Sequence, residues 1–343
     1  MKIQPGHGWK MTLGAWLLGV AGAMTVAACA DTALDSTPAT EQSGRLDNTP
    51  RMAVISAFAP ELTLLRQSLQ DAKEHTVNGV VFTTGTLQGQ PVVLFLSGIS
   101  MVNATMNTQL AIDRFNLSHV LFSGIAGGVS AELNIGDVNV PERWAQHLEV
   151  IMAREVAPGV YETPPGEHKL DAPNYGMLHH RGVGLPSTTD AQPKPQFWFQ
   201  VDPELLAAAH SIENVSLQAC DTNTVCLREP PRLVVGGNGL SGPAFVDNAS
   251  YREHLASAFQ ANVVDMESAA CAMVAQVNKV PFLAFRSVSD LAGGGPDANE
   301  MPTFLNIAAE NSARVLMAFL AQWQQQHPEH AAAKLPAGAS PHN

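Results

Sequence analysis

From Arg51 onward, short apolar runs of strand length alternate with segments of helical period, and this alternation constrains the fold more than any other feature. Apolar strands separated by helices pair in a sheet covered on both faces, so the expected class is α/β. "MAVISAF" reads as a buried strand, and Pro60-Glu61 then opens a helix in "ELTLLRQSLQDA". "TGTLQGQPVVLFLSG" reads as a hairpin with a buried second strand, "MVNATMNTQLAIDRF" as a helix, and "HVLFSGIAGG" as a buried strand entering a glycine-rich turn. "IGDVNVPE" begins the next strand. Residues 150–230, rich in Pro, His and Gly, read as an irregular insertion with one clear helix start at Asp202-Pro203-Glu204. "PRLVVGGNGLSGPAFVDN" is then a strand and loop, "ASYREHLASAF" a helix, and "PTFLNIAAENSARVLMAFLAQW" a last amphipathic helix. One domain over 51–325 is the simplest description.

The segment Val263–Asp290 is apolar along most of its length yet carries Asp265, Glu267 and Asp290 near its ends. Ala269, Ala270, Met273, Val274 and Val277 recur at spacings of three and four, predicting a buried helix from Glu267 to about Asn278. Asp265 and Glu267 stand at its N-terminus, where free N–H groups and the helix dipole favour negative charge; for Asp265 capping is the expected role. After Pro281, "FLAFRSVS" has the length of a buried parallel strand. Asp290 follows at its carboxyl end, where ligands of open α/β sheets sit, although an Asp before "LAGGG" also suits a plain turn. The turns "SGIS" and "SGIAGG", which contain Ser97, Gly98 and Gly124, can present backbone N–H groups to an anion or serve as tight turns only.

The chain's first residues do not belong to this domain. Lys2 and Lys10 precede "MTLGAWLLGVAGAMTVAA", the apolar core of a signal peptide over residues 1–28, and "TVAAC" resembles the lipobox in which Cys29 is lipidated after cleavage. Residues 29–50 are polar and aperiodic, the composition of a flexible tether, and 326–343 read as a disordered tail. The expected location is therefore outside the cytoplasm, with membrane contact only through the lipid. Loss of two lysines leaves 17 basic and 31 acidic residues, a net charge of −14, which disfavours nucleic acid and anionic lipid as partners. Cys220 and Cys226, in the turn-like "CDTNTVC", suit a local disulfide in an exported protein, and Cys271 reads as a small buried side chain. No Cys/His spacing suggests zinc, and His179-His180 reads as solvated.

"MAVISAFAPELTLL", "VLFLSGISMVNA", "VLFSGIAGGVSAELNIGDVNV", "SGPAFVDN", "VVDMESAACAMVA" and "VPFLAFRSVSDLAGG", in this order, resemble the nucleoside phosphorylase and nucleosidase superfamily, most nearly its methylthioadenosine/S-adenosylhomocysteine nucleosidases. The resemblance implies a three-layer α/β/α fold with a central mixed sheet, a nucleoside substrate, no cofactor, and a homo-oligomer. It implies that Glu61 activates water, that Glu267 binds ribose hydroxyls with Met266 against the sugar, and that Asp290, beside Ser289, protonates purine N7. Phe245 and Val246 would hold the base, Phe245 by stacking. Such residue types suit the chemistry: a purine leaves more readily when a general acid relieves its charge, an effect worth roughly 10²–10⁴-fold. The expected activity is an exported purine nucleosidase acting on adenosine-type nucleosides or thionucleosides. A phosphorylase is the first alternative, disfavoured because Ala59-Pro60-Glu61 and Phe122 stand where phosphate-binding arginines would be expected. The segments "CDTNTVC" and "SDLAGGG" also resemble plant bark storage proteins, so a non-catalytic nucleoside-binding protein is the second.

Overall fold

The computed structural model describes residues 44–328 except 168, 187–193 and 223. The signal peptide, Cys29 and most of the tether and tail therefore lie outside the described residues. The elements in chain order are β1 (Asp47–Ser56), α1 (Ala59–Ser68), β2 (Gln70–Val77), β3 (Val80–Leu87), β4 (Gln90–Leu96), α2 (Met101–Arg114) and β5 (Phe115–Gly128). Next come β6 (Val138–Val140), β7 (Arg143–Gln146), β8 (Val150–Met152), β9 (Arg154–Ala157), β10 (Val160–Glu162), β11 (Leu178–His180), β12 (Trp198–Gln200) and α3 (Pro203–His210). The chain closes with β13 (Leu233–Val235), β14 (Asn238–Ser241), α4 (Ala249–Phe259), β15 (Ala261–Asp265), α5 (Ser268–Asn278), β16 (Phe282–Asp290) and α6 (Met301–Gln326).

The main sheet runs β12-β7-β14-β15-β5-β1-β4-β3-β2 and is mixed. Its hub is β5, parallel to β1 through its first half, parallel to β16 from Val120 to Gly127, and antiparallel to β15 at its last two residues. The two parallel neighbours of β5, β1 and β16, thus bring their carboxyl ends to one edge. The central strand β16 is buried along its whole length because helices cover both faces. On one side α6 packs on β16, β5 and α1; on the other α2 and α5 pack together and against β5. That is the three-layer arrangement.

Local chemistry explains most boundaries. Asp202 caps α3 by accepting the N–H groups of Glu204 and Leu205 at 2.9 and 3.1 Å, and Asn248 caps α4 through the Tyr251 N–H at 2.9 Å. The first helix is shorter than its sequence suggests. It ends at Ser68, and Gln70–Val77, expected to be partly helical, is an edge strand joined to β3 by Asn78-Gly79 with φ of 51° and 81°. Nearly every side chain of β2 is exposed, so no apolar alternation marks it.

The folded domain also starts earlier than Arg51. Residues 47–50 lie within β1, and the Leu46 N–H bonds the Arg114 carbonyl at 2.7 Å. At the other end His327, placed with the tail by its sequence, stacks on Trp323 with ring centroids 3.9 Å apart. The stretch from 150 to 230 holds five short strands and α3: β8 pairs with β11, β9 with β10, and β12 joins the main sheet beside β7. Three- and four-residue strands are too short to display a period.

His179 and His180 are buried, not solvated, at 9 % and 2 % exposure. The His180 ring donates from Nδ1 to the His147 carbonyl at 2.9 Å, and its Nε2 lies 3.0 Å from His254 Nε2 on α4, fastening the excursion to the main body. Burial and the neighbouring imidazole push His180 down to about 4, so the pair is neutral in ordinary conditions. The Cys220 and Cys226 Sγ atoms are at bonding distance, with Cα atoms 4.0 Å apart, and Cys271 is buried with Sγ 3.3 Å from Thr108 Oγ1.

Candidate active site

Glu61 is the third residue of α1, and the sharp turn from β1 into that helix folds it back beneath its own N-terminus. Its Oε2 accepts the N–H of Ala57 at 2.7 Å and of Phe58 at 3.4 Å, as a glutamate at this helical position does. Its Oε1 reaches across the sheet to the Ile125 N–H at 2.8 Å. Gly124 makes the crossing possible: a Cβ there would lie 2.5 Å from both Glu61 Oε1 and Arg286 Nη1. The N–H groups of Ala57, Phe58 and Ile125 are thus spent on the protein's own Glu61. "SGIAGG", expected to be a turn, is the end of β5, with the Gly124 N–H bound to Ser312 Oγ at 2.9 Å. In "SGIS" the Ser100 N–H binds Glu267 Oε1 at 2.8 Å.

Arg286, unassigned by the sequence reading, is the cation these acids share. It lies in the middle of β16, 1 % exposed. Its Nε donates to Ser268 Oγ at 2.9 Å and stands 2.7 Å from Asp265 Oδ2; its Nη2 is 3.3 Å from Glu267 Oε2. Its Nη1 donates to the Ile125 carbonyl at 3.1 Å, and the guanidinium carbon sits 4.0 Å over the Phe122 ring. Phe122 therefore occupies a position beneath the arginine, within the protein. A lone cation inside an apolar strand, in a segment bounded by acids, was the available signal.

Asp265 does cap α5, its Oδ1 accepting the N–H groups of Glu267 and Ser268 at 3.1 Å each, while its other oxygen faces Arg286. With Glu61, Asp265 and Glu267 around a single guanidinium, the charges do not balance. Burial accordingly pushes the Glu61 carboxyl up to about 7 against the pull of Arg286, and raises Glu267 with a further contribution from Asp265.

Asp290 ends β16. Its Oδ2 accepts the Ser289 hydroxyl at 2.8 Å and its Oδ1 the Ala292 N–H at 2.9 Å. Burial raises this carboxyl above the usual range despite those donors.

These groups surround a cavity of about 260 Å³ lined by Glu61, Phe245, Val246, Met266, Glu267, Ser289 and Asp290, with Ile99, Met301 and Leu305 among its apolar walls. Ser97, Gly98 and Gly124 are not among its lining residues. Ser97 is buried in the extension of β4, its hydroxyl donating to the Gly98 carbonyl at 2.9 Å, and Gly98 turns the chain with φ of 76° toward Ser100. Phe245 is 53 % exposed at the mouth. Among the described residues no group of three His, Cys, Asp or Glu side chains is arranged to hold a metal ion. Chemically the cavity offers an ionisable glutamate held by backbone donors and a second carboxyl of raised proton affinity, among apolar walls.

Comparison with known proteins agrees in fold and extent. The 5′-methylthioadenosine/S-adenosylhomocysteine nucleosidase of Bacillus velezensis is 29 % identical over 268 residues, covering 78 % of this chain and 96 % of that protein. Futalosine hydrolase of Helicobacter pylori superposes with a TM-score of 0.59 at 26 % identity, covering 79 % of this chain and 97 % of that one. A 5′-methylthioadenosine/S-adenosylhomocysteine nucleosidase of Colwellia psychrerythraea, solved with adenine bound, superposes with a TM-score of 0.59 at 27 % identity, covering 80 % and 96 %. The relatives named are N-glycosyl hydrolases. A family model described as the phosphorylase superfamily matches residues 51–321, most of the chain, and the protein belongs to that superfamily.

Proposed function

We propose that the protein is a purine nucleosidase that hydrolyses the N-glycosidic bond of adenosine-type nucleosides or thionucleosides. The observation that carries this reading is that Glu61 and Asp290 line one cavity together with Glu267, Met266, Phe245 and Val246. The Glu61 carboxylate takes a proton from water as its oxygen bonds to the sugar's anomeric carbon. The C–N electron pair passes into the purine, and Asp290 supplies a proton at N7, so a neutral base and a free sugar leave. Glu61 ends protonated and Asp290 ionised, and solvent restores both. A base whose proton affinity lies near neutrality is well placed for the first step. Glu267 accepts from the sugar hydroxyls with lone pairs that Ser100 and Arg286 leave open.

Water is favoured over phosphate because the N–H cradle of Ala57, Phe58 and Ile125 is already filled by Glu61, and Arg286 is committed to acids. A second anion there would meet like charge. The compounds after which the relatives are named, methylthioadenosine, S-adenosylhomocysteine and futalosine, support a purine nucleoside bearing a 5′ substituent.

Export, lipidation at Cys29 and a Cys220–Cys226 disulfide belong to the same proposal and rest on the N-terminal sequence and the Sγ geometry. So does a homo-oligomer, supported by the exposed apolar face of Ile99, Val102 and Met106, which adjoins the cavity through Ile99. The test is a nucleoside panel incubated with and without phosphate, followed by chromatography. Base and free sugar without phosphate are expected. Release that needs phosphate would replace hydrolysis by phosphorolysis, and no release would leave a binding protein.

A further inference from the structure

One side chain between the acid and the base-holding loop has no part in the reaction as written. Asn299, two residues ahead of α6, donates from Nδ2 to Asp247 Oδ1 at 3.0 Å and to Asp290 Oδ1 at 3.4 Å. Its Oδ1 accepts the Met301 N–H at 3.0 Å. Asp247 directly follows Phe245 and Val246, and Met301 lines the cavity. One primary amide therefore touches three segments that close the site. Its two N–H groups can serve both carboxylates at once. Holding the start of α6 needs only the oxygen, so the amide nitrogen's two acidic partners call for a separate explanation.

We propose that Asn299 is a positioning residue that ties Asp290 to the base-holding loop, so that filling the base subsite is felt at the acid; the proposal rests on the nucleosidase reading above. The charged groups around Asp290 make the link consequential. Glu300, at the head of α6, acts on it directly and, like burial, disfavours its ionised form. Asp247 stands across the amide, and Glu61, Asp265 and Glu267 lie on the cavity's other walls with Arg286 among them. The Ser289 hydroxyl, the Ala292 N–H and the Asn299 amide are the donors that favour ionisation. The Asn299 amide is the one of these shared with the base-holding loop, through Asp247. In the free protein a fixed amide keeps the carboxyl aimed at the base. When Phe245–Asp247 adjusts to a purine and draws the amide toward Asp247, Asp290 loses a donor that favours its ionised form and so stays protonated until the departing purine takes the proton at N7.

Two variants separate this role from support of the helix start. Asn299→Ser keeps an oxygen for the Met301 N–H and removes the amide fork; Asn299→Asp keeps the shape and adds a third carboxylate. The readouts are kcat and KM across pH on the best nucleoside, thermal unfolding, and the Asp290 carboxyl titration by carbon-13 NMR, assigned with Asp290→Asn. N299S is expected to lower kcat by about tenfold with KM less affected. The Asp290 midpoint is expected to rise by roughly half a unit, and further in N299D. An unmoved midpoint in N299S would overturn the proposal, whether kcat falls or stays, because a purely structural role predicts that result. The titration is read on free protein, so absence of base release from the wild type would reject the nucleosidase reading without obscuring the test of Asn299.

Discussion

Arg286 Nε stands 2.7 Å from Asp265 Oδ2, and both side chains are 1 % exposed. This contact anchors a guanidinium that also serves Glu267 and faces Glu61, so one cation holds three buried acids. Replacing Arg286 by Leu leaves those acids without a counter-charge. Breaking a buried pair in this way costs about 3–5 kcal/mol. Because the stranded carboxyls can be relieved by protons, the loss measured by urea unfolding is expected to be larger at pH 8 than at pH 5.5. Equal losses at the two pH values would show that packing against Phe122, not charge, is what Arg286 supplies.

Glu61 gives the pH dependence its sign. Its ordinary value is 4.5 and its folded value about 7, so between these the folded state holds a proton that the unfolded chain has released. Stability from this group is present below 4.5 and falls as pH rises toward 7, by up to about 3 kcal/mol. Activity runs the other way, since the base must be ionised, and turnover is expected to climb with pH through about 7. Glu61→Gln should reduce turnover by roughly 10²–10⁴-fold and flatten the fall in Tm between pH 5 and 7.5. Its Tm profile, compared with wild type on that slope rather than in absolute level, checks the assignment: Gln cannot accept all of the N–H groups that Glu61 accepts.

Gly124 is where the backbone's freedom from a side chain matters most. A methyl group there would stand 2.5 Å from Glu61 Oε1 and from Arg286 Nη1, both held in place by further bonds. Gly124→Ala is expected to destabilise by about 1–3 kcal/mol through overpacking. It should also lower turnover by displacing the Glu61 carboxylate. Wild-type turnover in this variant would mean that Glu61 moves aside without consequence and is not the base.

Where side chains announce themselves by period or by chain position, the architecture was readable before any coordinates. The α5–β16 unit is such a case: its apolar spacing gave the helix to within a residue, and its terminal acids marked the cavity. Arg286 escaped because an apolar run is read by its majority, and a cation in its midst becomes meaningful only once Glu61 is brought over from α1, 225 positions away in sequence. For Ser97, Gly98 and Gly124 the sequence leaves open a ligand-presenting loop or a tight turn, because a glycine after a strand has one signature for both. The cavity wall is built without them, and the Ser100 N–H that follows Gly98 is bound by Glu267. The exposed strand β2 and the short strands between 150 and 230 offered no alternation to detect. The burial of His179 and His180 is not legible locally; for His180 the shelter is His147 and His254 of α4, both distant in the chain.

Asp290→Asn tests the other end of the chemistry. The Asn oxygen can keep the Ala292 N–H, and the Ser289 hydroxyl can rotate to its new neighbour, so the strand end has no reason to unfold. Burial raises the Asp290 carboxyl, which means that its ionised form is held at a cost in the folded state. By the same linkage as for Glu61, that cost grows as pH rises above the unfolded value, so D290N is expected to match or exceed wild-type Tm at pH 8. An amide has no proton to give to N7, and base release should fall by roughly 10²–10⁴-fold. Adenine binding, followed by calorimetry, should persist because Phe245, Val246 and Met266 are untouched. Turnover close to wild type in a folded, adenine-binding D290N protein would remove Asp290 from the reaction and leave the purine to depart without an acid.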